Sequence, residues 1–290
     1  MKIIRLIILL NLFIAIFSCN KKEENNKDVV NNPIDTAAAT VIMKQIYFSL
    51  PSPMELASLV DEKQNLFDYN ELYSLDSLKI HSSDKSQAII MGVYSADLGF
   101  LMIMNQTQNI KSYTQIMMKI ANNLDIRKGF NDTLLNKIEK NITNKDSLVK
   151  LSAKALFSAD AYMKENDKID ISTLILNGGW IESIYQLSQI LKKDFEDTNL
   201  IKIIIDQRLV IDNILKLDSI YLKDNFCREQ LMTLKPYFDN MITESKTEVY
   251  DNFADTTLLK TKIIYTFDKN KILNLTNEIS KVRKNFISLQ

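Results

Sequence analysis

Residues 83–106 read SDKSQAIIMGVYSADLGFLMIMNQ, and this stretch decides the fold class. It is too long for a typical strand, and its apolar residues have helical spacing, so the sequence predicts one long helix. Gly92 and Gly99 are seven residues apart, which places them on one helix face, two turns from each other. Small residues at these positions would let another helix pack closely against that face.

Helical periodicity also dominates on both sides of this stretch. Ser52-Pro53-Met54-Glu55 is a capping box with proline at the first helical position, and it predicts a helix start. Residues 198–222 carry two apolar stripes, which predicts a helix at the centre of its bundle. Residues 260–267 could form one short strand or an extended link. Further helices are predicted over 109–124, 170–192 and 272–286.

The predicted fold class is therefore all-α. Joints between the predicted helices are short, so consecutive helices should lie antiparallel. No repeat of fixed period is present, which leaves two architectures open: an irregular antiparallel helical bundle or a degenerate helical-hairpin array. We expect a single helical domain over residues 35–290.

Composition excludes several classes of function. The 290 residues include 5 glycines and 4 prolines, which disfavours glycine-rich phosphate loops. Basic and acidic residues balance at 36 each, so the chain lacks the basic surface typical of nucleic-acid binding. One histidine and two cysteines leave little material for a metal centre, and we predict no cofactor.

The N-terminus has the pattern of an export signal. Lys2 and Arg5 precede an apolar run over residues 6–17, which is too short to span a bilayer as a helix. Ile16-Phe17-Ser18-Cys19 resembles a bacterial lipobox, and this resemblance implies cleavage before Cys19 and lipid attachment to it. The prediction is a signal peptide over 1–18, a lipidated Cys19 with a polar tether over 19–34, and attachment to a membrane through the lipid.

A second resemblance concerns the rest of the chain. Lys22-Glu23-Glu24 resembles the export signal of surface lipoproteins in Bacteroidota, although a solvated linker would look the same. Segments 47–130 and 178–182 are similar to a group of uncharacterised Bacteroidota lipoproteins. This similarity implies export and a helical body in the cell envelope, on either face of the outer membrane, and it carries no known activity.

Tyr94 and Asp97 form the first candidate site. They lie one turn apart in a helix that is otherwise apolar, where a carboxylate is costly unless it is paired or hydrogen-bonded. The functional interpretation is a pocket wall in which Asp97 is an acceptor, an acid or a base. The structural interpretation is a polar link satisfied by a neighbouring tyrosine or by a helix N-terminus.

The second candidate site is Asn177-Gly178-Gly179-Trp180-Ile181-Glu182. It lacks the preceding strand that a dinucleotide-binding glycine motif needs. Trp180, Glu182 and Tyr185 could line a ligand slot, or the glycines could mark a tight helix crossing with a packed indole. If Asp97 and Glu182 faced each other, they would form the carboxylate pair that glycoside hydrolysis requires.

Three other features have structural interpretations. His81 has no second histidine, so it does not predict a metal site. Cys227, the one cysteine left beside Cys19, is expected to pack as a small buried residue. Asp218-Ser219-Ile220 belongs to a set of Asp-Ser/Thr-apolar triplets that resemble O-glycosylation sites of exported Bacteroidota proteins, although most are explained as N-caps.

The sequence leaves three functions open. The first is a lipid-anchored envelope protein that binds another envelope protein or a small ligand without catalysis. The second is a hydrolase that uses Asp97 and Glu182. The third is a structural or assembly component of an outer-membrane machine.

Overall fold

The computed structural model describes residues 53–104, 106–141, 143–241, 244–250, 258–264 and 268–290. The predicted signal peptide, the lipidated Cys19 and the tether lie outside the described residues, as does Ser52 of the predicted capping box.

The prediction of an all-α protein is confirmed. Short 3-10 helices at Asp61–Leu66, Tyr69–Glu71, Leu75–Ile80 and Arg127–Gly129 connect longer α-helices. The α-helices are α1 (Pro53–Ser58), α2 (Asp84–Ile103), α3 (Thr107–Asn123), α4 (Asp132–Lys140), α5 (Lys145–Glu165), α6 (Ile169–Lys193), α7 (Thr198–Asp206), α8 (Arg208–Tyr221), α9 (Phe226–Asp239) and α10 (Lys269–Ile287). They pack as an irregular helical bundle.

Two described strands lie after α9 in the chain. β1 (Glu244–Tyr250) and β2 (Leu258–Ile264) pair antiparallel, with Glu244 opposite Ile264 and Tyr250 opposite Leu258. The short strand considered for residues 260–267 thus exists in part, beginning two residues earlier and paired with β1. It forms a local hairpin and leaves the helical class unchanged.

Helices α2 and α6 occupy the interior. Fifteen of the 20 residues of α2 are buried, and so are 18 of the 25 residues of α6. In the described part of the chain, α2 is the one helix long and apolar enough to cross a membrane. However, 89% of its 18-residue apolar segment is buried inside the protein. Helix α2 is therefore the apolar core helix of this bundle.

Glycines set the close approach of α2 and α6. A Cβ atom on Gly92 would lie 2.0 Å from the carbonyl oxygen of Ile175, and one on Gly178 would lie 1.9 Å from that of Ile89. Real Cβ atoms do not approach backbone oxygens so closely, so both positions require glycine. A Cβ on Gly179 would sit at an ordinary 3.4 Å from the Gly92 oxygen. The backbones therefore touch through Gly92 and Gly178.

The expectation of one central helix over 198–222 is wrong. Gln207 interrupts it and separates α7 from α8. The Gln207 side chain accepts a hydrogen bond from Trp180 Nε1 at 3.1 Å and donates to the Ile203 carbonyl at 3.3 Å. Each short helix has its own set of buried apolar residues, so the two predicted stripes do not continue along one helix.

The 3-10 segment before α2 is fixed to the end of α10. His81 is 3% exposed; its Nδ1 lies 2.7 Å from the Leu289 carbonyl and its Nε2 lies 2.7 Å from the Tyr73 hydroxyl. Because a carbonyl can only accept, Nδ1 carries the proton and Nε2 accepts from Tyr73. Burial lowers the pKa of His81, which favours this neutral form. Tyr73 is thereby positioned beside Asp97.

Candidate functional site

Asp97 of α2 and Glu182 of α6 meet in the core. Both are fully buried. Gln186, one turn after Glu182, donates from Nε2 to Asp97 Oδ1 at 3.1 Å and to Glu182 Oε1 at 3.0 Å. The backbone N–H of Tyr73 donates to Asp97 Oδ2 at 2.8 Å. The structure thus brings the two predicted carboxylates together around one amide group.

Arg283 of α10 is the counterion of Glu182, and no sequence pattern had singled it out. Its Nε donates to Glu182 Oε2 at 2.8 Å and its Nη2 donates to Glu182 Oε1 at 3.0 Å, which is bidentate pairing. Nη2 also donates to the Glu71 carbonyl at 3.1 Å. The guanidinium lies 4.3 Å from the centre of the Tyr185 ring, within cation–π range.

Tyr185 extends this network towards the surface. Its hydroxyl donates to the Glu71 carboxylate. Burial, followed by the hydrogen bond to Glu71, raises the pKa of Tyr185 above its usual value, so the phenol stays protonated. Tyr185 therefore acts here as a hydrogen-bond donor and as an aromatic cover for Arg283.

Asp97 differs from Glu182 in its protonation. Burial, and then the negative charge of Glu182, hold the pKa of Asp97 well above its usual range. Burial opposes the charge on Arg283, but the neighbouring Glu182 carboxylate outweighs this effect and raises the pKa of Arg283. Asp97 is accordingly a neutral acid, while Glu182 and Arg283 form a buried ion pair.

Tyr94 lies beside this network with its own partner. Its hydroxyl donates to the Ser74 carbonyl at 2.9 Å, and its ring packs 5.5 Å from Tyr73 and 5.6 Å from Tyr113 between centroids. Burial raises the pKa of Tyr94 above its usual value. Tyr94 therefore holds the 3-10 segment against α2.

Trp180 lies apart from the other candidates. Its indole N–H reaches Gln207, and its ring lies 6.4 Å from that of Phe238 between centroids. These contacts are with α9 and with the joint between α7 and α8. The proposed slot of Trp180, Glu182 and Tyr185 is thus divided: Glu182 and Tyr185 share Arg283, while Trp180 packs elsewhere.

An apolar groove lies on a different face of α2. Its cavity volume is about 70 Å³, it is partly open to solvent, and α2 contributes Leu98, Gly99 and Met102 to it. The other helices contribute apolar side chains as well; they include Met117, Met118, Phe130, Leu135, Ile138, Ala155 and Leu156. The hydroxyl of Thr114 is bonded to the Ile110 carbonyl, and that of Ser152 lies against the Met102 sulfur. The groove therefore offers a mainly apolar surface of methionine, aliphatic and aromatic side chains.

Other reactive groups are held in structural roles. Within the described ranges, no three His, Cys, Asp or Glu side chains are placed to hold a metal ion. Cys227 is fully buried, as expected, and burial raises the pKa of its thiol. This thiol is thus a packing residue in α9.

Comparison with protein-family models, with curated protein sequences and with solved structures finds no match to this chain. The chemistry of its own residues is therefore the basis for a functional proposal.

Proposed function

We propose that this protein is a bacterial lipoprotein of the outer membrane, held there by acyl chains on Cys19, and that its helical domain binds without catalysis. The order of features at the N-terminus supports the anchor: two positive residues, an apolar run, Ser18 and then Cys19. Each buried acyl CH₂ contributes about 0.8 kcal/mol to membrane attachment, and stable anchoring needs more than one chain. The polar residues after Cys19 would keep the domain clear of the bilayer.

Mass spectrometry of the purified native protein tests the anchor. We expect a mature N-terminus at Cys19 that carries acyl groups, and we expect Cys19→Ala to lose membrane association. A native protein with an unmodified Cys19 thiol, or a Cys19→Ala variant that stays with the membrane after a carbonate wash, would contradict the proposal.

The apolar groove carries the proposal of a binding role. None of the described side chains that line it is charged; three carry hydroxyls, Ser95, Thr114 and Ser152, and those of Thr114 and Ser152 already have partners. Methionines adapt their shape to apolar ligands, and Met102, Met117 and Met118 come from two different helices. The cavity volume of about 70 Å³ exceeds the roughly 10–15 Å³ that a cavity needs to hold one water molecule. We infer that the ligand is an unbranched acyl chain whose polar end stays in solvent.

The buried carboxylates do not favour the hydrolase alternative. Glycosidases need one carboxyl group that reaches the leaving oxygen and another that reaches water or the sugar. Asp97 and Glu182 are instead fully buried and bonded to Tyr73, Gln186 and Arg283. Their arrangement supports a role in holding α2, α6 and α10 together.

Filling the groove tests the binding role. Ala155 lines the groove, while Ala153 on the same helix is exposed. Both substitutions are made in the Cys19→Ala protein, so that no attached acyl chain competes, and dodecanoate binding is measured by titration calorimetry. We expect Ala155→Phe to weaken binding by at least about tenfold, roughly 1.4 kcal/mol, and Ala153→Phe to leave it unchanged.

Two results would contradict the groove as an acyl site. One is the absence of saturable dodecanoate binding to the parent protein. The other is an equal effect of the two phenylalanine substitutions. Either result leaves the lipid anchor untouched, because the anchor is tested by the mass of Cys19.

A further inference from the structure

Asn177 of α6 and Asp218 of α8 form a second buried polar contact, away from Arg283. Their exposures are 0% and 2%. Asn177 Nδ2 donates to Asp218 Oδ1 at 2.7 Å and to the Thr173 carbonyl at 2.9 Å. Asp218 lies in the last turn of α8, so it is not the N-cap that its Asp-Ser-Ile triplet suggested.

One oxygen of each side chain has no donor. Asn177 Oδ1 and Asp218 Oδ2 are buried, and no donor from the described residues reaches either atom. A buried acceptor without a partner costs about 1–3 kcal/mol, and an ionised carboxylate costs more. Two such atoms on side chains that already touch therefore call for one explanation.

A single proton satisfies both atoms. A protonated carboxyl group gains one O–H donor, and an amide oxygen accepts. With the proton on Asp218 Oδ2, that atom becomes a donor that can bond Asn177 Oδ1, while Nδ2 of Asn177 already bonds Asp218 Oδ1. The two side chains then form a closed ring of two hydrogen bonds.

We propose that Asp218 holds a proton in the folded protein under acidic to neutral conditions, and that the Asn177–Asp218 ring is a proton-dependent link between α6 and α8. When Asp218 loses this proton, Asn177 Oδ1 loses its donor and a negative charge is left in the core. The stability of this helix contact thus depends on the pH of the compartment.

The charges around Asp218 agree with this assignment. Burial raises the pKa of Asp218 to about 7, although the hydrogen bond from Asn177 acts in the opposite direction. From the α9 side, Arg228 favours the ionised form and Asp224 disfavours it, and Asp224 is paired with Lys85 at 2.6 Å. The Cys227 thiol stays neutral because burial raises its pKa.

The direction of the pH effect follows from the difference between the pKa of Asp218 in the folded chain and its pKa in the unfolded chain. Unfolded Asp218 has a pKa of about 3.9, and the folded value is higher. The stabilisation is complete below the unfolded pKa and is lost as the pH rises through the folded pKa. Between these values the contribution of Asp218 to the folding equilibrium constant falls about tenfold per pH unit.

Asp218→Asn tests the link, because asparagine can form the same ring without titrating. We expect the variant and the wild type to have similar folding equilibrium constants at about pH 4. At about pH 8 the constant of the variant should be at least about tenfold larger than that of the wild type. Asp212→Asn on the same helix is the matched control, since Asp212 is partly exposed and paired with Lys235. The control should not reproduce the pH-dependent difference.

Infrared difference spectra between the wild-type protein and Asp218→Asn separate the carboxyl band of Asp218 from that of the protonated Asp97. The band of a protonated carboxyl group should lose intensity as the pH rises through neutrality. Absence of that loss would overturn the proposal. It would also be overturned if Asp218→Asn destabilised the protein equally at both pH values, or if Asp212→Asn produced the same pH-dependent difference.

Discussion

Arg283 connects three other residues of the buried network. It satisfies both oxygens of Glu182, binds the Glu71 carbonyl and stacks against Tyr185. Its side chain is only 12% exposed. A buried pair of this kind need not add net stability, but the loss of one partner leaves an uncompensated charge in the core.

Glu182→Gln and Asp97→Asn should therefore have unequal effects. We expect Glu182→Gln to lower the free energy of unfolding by about 3–5 kcal/mol, because Arg283 loses its counterion. Asp97→Asn replaces a neutral acid with a neutral amide and should cost about 1 kcal/mol, the scale of one hydrogen bond. Urea unfolding at neutral pH measures both values. Equal costs for the two variants would show that Glu182 and Arg283 are not an ion pair.

The sequence could identify Asp97 and Glu182 but not Arg283, the counterion of Glu182. Each carboxylate stands in an apolar stretch, which marks it as a group that needs a partner. Arg283 lies four residues after Ile279 and three before Phe286, on the apolar seam of α10. Lys281 and Lys284 beside it give the impression of a solvated face. Which three helices converge is decided by tertiary packing, for which no local pattern exists.

At the scale of helices, the α2–α6 crossing depends on individual glycines. Gly178→Ala would place a Cβ 1.9 Å from the Ile89 oxygen, so the helices would have to separate. Gly179→Ala meets only an ordinary contact at 3.4 Å. In a helix interior, alanine is also more favourable than glycine by about 1 kcal/mol. The two adjacent positions thus differ in packing and share the same helix propensity effect.

We expect Gly178→Ala to lower the melting temperature, and Gly179→Ala to leave it unchanged or to raise it slightly. A loss of about 1–3 kcal/mol is typical of overpacking in a tight core, and here it acts against the gain in helix propensity. Thermal unfolding monitored by circular dichroism measures both variants. A Gly178→Ala protein as stable as the Gly179→Ala protein would contradict backbone contact at this crossing.

Helix positions were more predictable than helix environments. The predicted helix over 83–106 corresponds to α2, which begins after the Ser83 N-cap, and the one over 170–192 corresponds to α6. Periodicity and capping depend on nearby residues only, so they predict helix positions without knowledge of the tertiary structure. No glycine or proline marks the break at Gln207. The Gln207 side chain is instead bonded to Trp180 of another helix, a contact that the local sequence does not show. A continuous helix was therefore the natural prediction there.

At the scale of the whole molecule, burial is graded from the inside out. Helices α2 and α6 are buried over most of their lengths, and α6 is linked to α10 by Arg283 and to α8 by Asp218. Helix α4, in contrast, has one buried residue, Leu134. The sequence did not foresee this gradient, since the apolar content of 198–222 suggested a different centre.

Amide hydrogen exchange should reflect this gradient. Segments with few buried apolar contacts open locally, whereas core helices exchange only when the whole domain unfolds. We expect the amides of α2 and α6 to be the slowest, and those of α4 to exchange at least about a hundredfold faster. Mass spectrometry of peptides from a time course resolves the three helices. Protection of α4 equal to that of α2 would mean that the domain opens as one unit, and Glu182→Gln should then accelerate exchange in α4 as much as in α6.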